Sequence, residues 1–329
     1  MTFRIVQLLA PDGSRQVAAV DPDGVARLLE RIAGTYELAL AALDQGVTLE
    51  EAVAERLTAE VVDLNLADAE GRLLPPIDHP DPAHLLLTGT GLTHLGSAEG
   101  RDKMHKAAAD ATTDSMRMFL MGVEAGKPQG GGPGCQPEWF YKGDGSCLVG
   151  TGADLSSPDF ALDGGEEPEL AGIYIVDREG RPRRLGFALA NEFSDHVTER
   201  GNYLWLAHSK LRPASIGAEL LLGALPKHVH GTSRILRDGA TIWEKPFLSG
   251  EANMSHSIAN LEHHHFKYGL CRRPGDIHVH FFGTATLSFA DGVSAQEGDI
   301  FEISAEPFTL PLRNRLSRAA ACDVRVTPL

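Results

Sequence analysis

Long apolar runs are missing from this 329-residue chain. No stretch approaches the roughly 20 consecutive apolar residues that a helix needs to cross a bilayer, and mean hydropathy is −0.13. The N-terminal segment from Met1 to Ser14 holds one early arginine and a short apolar stretch. That stretch is too short for a secretory signal core and reads as a first β-strand, so a cytoplasmic protein with no membrane partner is expected. Positive charge is scarce as well: 30 Lys and Arg stand against 45 Asp and Glu, a net charge of −15. A phosphate backbone would repel such a surface, which argues against nucleic acid as a partner. Only four cysteines occur, Cys135, Cys147, Cys271 and Cys322, and none forms a CxxC pair. Reduced thiols are expected rather than a disulfide framework or a structural zinc site. Nucleotide loops are missing too. There is no GxxxxGK[ST], and Gly89-Thr90-Gly91 opens a dinucleotide fingerprint that lacks its third glycine.

Hydrophobic residues make up 43% of the chain, enough for a sizeable core. Residues 1–78 read as a small α/β domain. A first strand is followed by Gly24–Leu57, where Val25, Leu28, Leu29, Ile32, Leu38, Ala41 and Leu43 recur at near-helical spacing. The proline-rich stretch Leu73–Pro82 reads as an extended linker, since each proline biases its predecessor away from helix. Residues 79–329 form the larger domain. Gly100–Glu124 and Ser255–Leu270 read as helices, and Ile216–Leu222 as a helix short enough to be a strand. Short β-type runs fall at His84–Thr88, Leu170–Val176, Arg184–Ala190, Arg234–Ile235, Ile277–Phe282, Thr286–Phe289 and Ile300–Ile303. Strands this short, broken by Gly/Asp turns, predict an α+β fold built on a mixed, β-rich roll or barrel rather than a doubly wound sheet.

Two histidine pairs, His228/His230 and His278/His280, each lie on one side of a strand, as in cupin metal sites. The Glu that such a site wants about four residues later is missing from both. His263-His264-His265 on a helix cannot converge on one ion, because consecutive residues lie about 100° apart.

Glu167 and Glu169 carry the stronger signal. In a strand, one intervening residue puts both carboxylates on the same side, and two like charges so close are costly unless a cation sits between them. The apolar strand Gly186–Ala190 leads into Asn191-Glu192, and Asp177–Gly180 is a turn. A hairpin would bring Glu192 to the pair. Three oxygen ligands from two strands make a half-filled shell suited to Mg²⁺, or to Mn²⁺ or Ca²⁺, with open positions that suit a 2-oxo carboxylate.

Glu167-Pro168-Glu169-Leu170, then Gly186 to Ser194, then Ser209-Lys210 resemble the metal-and-lysine core of the fumarylacetoacetate hydrolase superfamily. Pro137–Lys142 resembles its P-x-x-F-x-K strand. Pro274-Gly275-Asp276, Gly283-Thr284 and Gly298-Asp299 resemble its closing pattern. Within the superfamily the chain is similar to the 2-keto-3-deoxy-sugar-acid dehydratases and to the GguC-like group. The resemblance implies a metal-dependent enzyme acting on a small 2-oxo acid, expected as a homodimer or larger homo-oligomer. It implies Lys210 as the base that removes a C3 proton, its pKa lowered beside the cation, and Glu138 as the acid for the departing C4 hydroxyl. Ser215, Thr284, His94 and Phe140 are the expected substrate contacts. C–C hydrolysis or decarboxylation of a 2,4-dioxo acid, or binding of a sugar acid without catalysis, are the alternatives. The chain departs from the family in having Glu192 where Asp is usual, and Ser194-Asp195-His196-Val197 where the family has Ser-Ala-Arg-Asp. The Glu of the hydrolases' His-x-x-Glu loop is displaced to Glu99, relative to His94.

Overall fold

The computed structural model describes residues 3–95, 113–130 and 132–329. The chain opens with an antiparallel meander, β1 (Arg4–Leu9), β2 (Arg15–Val20) and β3 (Ala26–Leu29). Helices α1 (Thr35–Gln45) and α2 (Leu49–Arg56) follow, then β4 (Leu57–Val61) at the sheet edge and α3 (Leu64–Ala69). The near-helical spacing expected from Val25 onward is therefore half right. The Asp21 carboxylate accepts the backbone N–H groups of Asp23 and Val25, which closes a turn and folds the chain back as β3. The helix begins only at Thr35, past Gly34, and ends at Gly46, whose φ of 70° closes a left-handed cap. Thr48 and Glu51 form a reciprocal capping box that starts α2.

The strands of residues 1–78 extend the central sheet. The remaining elements are β5 (Leu85–Gly89), α4 (Asp114–Ala125), β6 (Phe140–Asp144), β7 (Leu148–Val149), β8 (Asp154–Ser157), β9 (Pro168–Val176) and β10 (Pro182–Asn191). After them come α5 (His196–Gly201), α6 (Leu206–Lys210), β11 (Ala214–Ile216), β12 (Glu219–Leu221), β13 (Val229–Arg237), β14 (Ala240–Ser249), α7 (Ile258–Phe266), β15 (Ile277–Phe281), β16 (Ile300–Ala305) and β17 (Leu312–Arg318). A twelve-stranded sheet runs β4-β3-β2-β1-β12-β10-β9-β15-β5-β6, with β11 bridging β10 and β7. A five-stranded sheet runs β14-β13-β16-β17-β8. This is a mixed, strand-rich α+β architecture. Among the described residues no helix is long and apolar enough to cross a membrane.

Alternation along β9 and β10 explains their position. Ala171, Ile173, Ile175, Ala188 and Ala190 enter the core under α1 and α2, whereas Leu170, Phe187 and Leu189 pack against the five-stranded sheet. Every residue of β9 is buried, because both of its faces are covered. The segment 73–82 is extended and lies along β1, with the Gln7 side-chain amide donating to the Pro75 carbonyl and Ile77 fully buried. The buried Arg4–Glu219 ion pair, 2.7 Å, joins β1 to β12.

Two other expectations change. Ile216–Leu222 forms the strands β11 and β12 rather than a helix, with the Gly217 N–H donating to the Leu189 carbonyl of β10. Thr286–Phe289 is not a strand. Ser288 turns inward and donates both its N–H and its hydroxyl to the buried Glu166 carboxylate. The helix expected in 100–124 is seen as α4 from Asp114, while its first part, with Gly96–Glu99, lies outside the described residues.

Gly186 sits where β10 shifts register against β9, and a Cβ there would lie 2.2 Å from the Leu221 carbonyl oxygen of β12. Gly186→Ala should force these strands apart and destabilise the fold by about 1–3 kcal/mol. Urea denaturation followed by circular dichroism checks this; an unchanged midpoint would refute the close approach.

Candidate active site

The β9–β10 hairpin places the acidic residues. Ala190 pairs with Glu169 and Asn191 with Pro168, and the Glu192 N–H continues the ladder to the Glu167 carbonyl. Opposed residues share a face, so Glu167, Glu169 and Glu192 project together. All three are buried, and a ligand oxygen of each lies within 4.8 Å of the others. Residues 164–166 and 194 prolong the pairing, with Gly165 bridging Ser194. Asp195 then caps α5, which carries His196, and α6 ends at Lys210.

The three carboxyls form one cavity wall with Phe140, Lys210, Thr284, His196 and Glu199. The Lys210 ammonium donates to Glu167 at 2.5 Å and to the Ser194 hydroxyl at 3.1 Å. His196 Nε2 lies 3.1 Å from the same Glu167 oxygen, its Nδ1 lies 3.4 Å from Asp163, and its ring stacks on Phe289. Behind the wall the fully buried Lys142 donates to the Phe193 carbonyl at 2.6 Å and the Lys210 carbonyl at 3.1 Å, and lies 3.3 Å from Glu192.

These contacts divide the carboxyls. Burial alone would raise Glu167, but the Lys210 charge and the His196 contacts outweigh it and hold that carboxyl well below the usual range. Burial and the neighbouring charges of Glu192 and Glu167 push Glu169 well up. Burial also raises Glu192, against the pull of Lys210. Burial drags Lys142 down to about 8. His196 rises to about 10, because its two carboxylate partners outweigh its burial. Burial lowers Lys210, but the charges of Glu167 and Glu192 prevail and its pKa is raised.

The donor set fits a hard divalent cation. It is all oxygen, and Glu169 Oε1 is buried with no hydrogen-bond partner while Oε2 accepts the Gly283 N–H at 2.7 Å. A buried carboxylate oxygen is rarely left bare unless something charged is to meet it. Among the described residues no other group of His, Cys, Asp and Glu side chains comes together in this way. His278 and His280 instead join His265 in a buried aromatic stack, with His265 Nε2 2.9 Å from His278 Nδ1.

Of the expected residues, Glu167, Glu169, Glu192, Lys210, Phe140 and Thr284 meet at the cavity. Three do not line it. Ser215 is fully buried and donates to Asn314 at 2.6 Å, because β11 turns it toward β17. His94 is buried between Thr93 and Ser249, where desolvation pushes it down to about 3. Glu138 precedes β6 and accepts the Tyr203 hydroxyl in a neighbouring cleft with Trp139 and Tyr268. Conversely, Lys142, His196 and Glu199 received no role from the sequence. The available signal was the string Asp195-His196-Glu199: an N-cap followed by an i,i+3 pair that shares one helix face.

No protein-family model and no curated protein sequence matches the chain. Solved structures do. A hexagonal crystal form of 2-keto-3-deoxyarabinonate dehydratase is 17% identical, with a TM-score of 0.72 over 97% of this chain and 100% of that one. The 2-keto-3-deoxy-D-arabinonate dehydratase complexed with magnesium and 2,5-dioxopentanoate is also 17% identical, with a TM-score of 0.70 and the same coverage. A 5-carboxymethyl-2-hydroxymuconate delta-isomerase from Mycobacterium smegmatis is 16% identical, with a TM-score of 0.56 over 97% and 100% of the two chains. The chain has the fold of these enzymes, the fumarylacetoacetate hydrolase-type fold that its motifs resemble.

Burial and like charge raise Glu169 and Glu192, so a divalent cation competes with protons for their oxygens. Calorimetry with Mn²⁺ in two buffers of different ionisation enthalpy should therefore show proton release, and affinity should rise with pH. Binding that is independent of pH, with no protons released, would contradict the arrangement.

Proposed function

We propose that the chain is a divalent-metal-dependent enzyme of the fumarylacetoacetate hydrolase superfamily that removes water from a 2-keto-3-deoxy sugar acid of the pentonate class. The observation that carries this reading is the meeting of three buried glutamates with Lys210 at one cavity. The fold shared with an enzyme complexed with magnesium and 2,5-dioxopentanoate supports it. Mg²⁺ is the proposed cofactor, on Glu167, Glu169 and Glu192. When bound, such a cation withdraws electrons from a 2-oxo carboxylate and makes its C3 protons more acidic.

The protein supplies the rest. In this reading Lys210 takes the C3 proton. Its ammonium is 2.5 Å from Glu167, so the role requires that this ion pair give way and the amine become neutral. Phe140, whose ring centre is 5.1 Å from the Lys210 nitrogen, keeps water from one side of it. Loss of the C4 hydroxyl consumes one proton and leaves as water. Glu138, which faces the neighbouring cleft, is not placed for that delivery. Lys210 holds the proton it has just taken and can return it to the leaving oxygen. The resulting 3,4-unsaturated 2-oxo acid loses a C5 proton and gains one at C3, which gives the C4–C5 enol; the enol then loses its hydroxyl proton and gains one at C4, which leaves an aldehyde at C5.

Hydrolysis of a 2,4-dioxo acid would need water activated beside the carboxylates. His94 does not line the cavity, so this geometry favours elimination. A protein that only binds sugar acids would need no amine at the reacting carbon. The proposed protein is a cytoplasmic homodimer or larger assembly.

Glu169→Gln should abolish metal-dependent turnover of a 2-keto-3-deoxypentonate with the circular dichroism spectrum unchanged; full activity of the wild-type protein in EDTA would reject the metal step. Lys210→Ala should slow exchange of the C3 protons with deuterium oxide by about 10²–10⁴-fold, read by proton NMR. Persistence of exchange would assign the base elsewhere.

A further inference from the structure

We propose that Glu166 is a positioning residue for the cavity: its buried carboxyl holds the segment 283–289 against the strand end that carries the glutamates, and substrate affinity depends on that hold. The inference rests on the function proposed above, because it takes the cavity as the substrate site.

The contacts of this segment carry the argument. Neighbouring side chains of an extended run leave on opposite sides; Glu167 meets the cavity, and the fully buried Glu166 does not. One Glu166 oxygen accepts the Ser288 N–H at 2.9 Å and the other accepts the Ser288 hydroxyl at 2.7 Å. Earlier in the segment, the Gly283 N–H donates to Glu169 at 2.7 Å. Gly283 is tightly packed there, since a Cβ on it would lie 2.7 Å from the Thr90 carbonyl oxygen. Thr284 and Leu287, between these two attachments, line the cavity. Just past the second, the Phe289 ring stacks on His196, which contacts Glu167.

This wall is thus referenced to the glutamates at both ends. The backbone that carries Glu166 is itself fixed: Gly165 bridges Ser194, and the Glu167 N–H donates to the Asn191 side chain at 3.1 Å. Without the Glu166 carboxyl, the buried Ser288 N–H and hydroxyl lose these acceptors. Local opening of the segment relieves that cost by giving them to water. Thr286 still donates to the Pro246 carbonyl of β14, and Trp243 and Lys245 of β14 to Asp291. The opening therefore stays local, and the glutamates keep their places. A wall that meets the substrate's ground state and transition state alike acts on KM and leaves kcat nearly unchanged.

The test begins with amide hydrogen exchange of the metal-free full chain, read by mass spectrometry over residues 283–293. Glu166→Ala should exchange there about tenfold faster than the wild type, with β9 and β10 unchanged. Glu166→Gln can accept one Ser288 donor and donate to the hydroxyl oxygen, so it should stay within about threefold of the wild type. In Mg²⁺-loaded protein, KM for a 2-keto-3-deoxypentonate should rise about tenfold in Glu166→Ala, with kcat altered by less than about threefold, and Glu166→Gln should restore it. Unchanged exchange in Glu166→Ala, an equal loss in Glu166→Gln, or a fall in kcat with KM unchanged would overturn the assignment. If Glu166→Ala does not fold, Ser288→Ala decides instead. Losing one of the two hydrogen bonds, it should exchange about threefold faster over the same residues; exchange at the wild-type rate would count against Glu166. Absence of turnover in the wild-type protein would refute the reaction proposed above, while the exchange pattern, which needs neither metal nor substrate, would still decide what Glu166 holds.

Discussion

Three carboxyl groups held within one ion's reach, out of water, are the costliest feature of this fold, and most of its other features answer to it. Isolated burial of such a set would force protons onto all three. Here the protein relieves one of them. Glu167 receives both Lys210 and His196, and stays ionised. Glu169 and Glu192 are left under repulsion. The asymmetry matters: a site fully neutralised by its own side chains would have no use for a cation, and one with no internal cation would be hard to fold without metal. The arrangement lies between these limits.

The sheet makes the cost bearable by being rigid where the carboxyls stand. β9 is covered on both faces, as is β10 from Leu185 onward, and the two pair over their whole length apart from one register shift. The same alternation that sends Ala171 and Ile173 into the core sends Glu169 and Glu167 to its end. Lys142 fixes the second layer. From β6 it binds the carbonyls of Phe193 and Lys210, so one buried ammonium ties together the ends of the segments that carry Glu192 and the lysine of the cavity. A buried cation with three oxygen partners is stable only while all of them stay in place. Lys142 therefore links the position of the backbone to the charge on the wall.

The parts of the site that were legible in the sequence depend on local periodicity. Glu167 and Glu169 share a strand face by spacing alone, and the hairpin to Glu192 follows from an intervening turn of four residues. Elements shorter than one helical turn were not legible: β11 and β12 share a run with no decisive period, and Ser288 turned away from strand geometry to satisfy Glu166, a partner 122 residues distant. His94 and Ser215 were misplaced for the same reason. Each is set by contacts with Ser249 and Asn314, far along the chain, and nothing near either residue encodes them. Glu138 falls just ahead of β6 and outside the cavity, since Phe140 lines the cavity with the carboxylates and Glu138 faces Tyr203.

The departures from the family pattern take on a single sense in the fold. Where the family carries arginine after its third ligand, this chain has Asp195-His196. A guanidinium reaches far, binds carboxylates through two parallel hydrogen bonds, and is available to a ligand. An imidazole held between Asp163 and Glu167 is short and already occupied. The exchange replaces a group that could reach an incoming charge with one that steadies Glu167. Glu192 in place of Asp points the same way: the longer side chain still reaches the cluster and also spans to Lys142 and Lys210. Both changes pair the carboxylates of the wall with positive charge from within the wall itself.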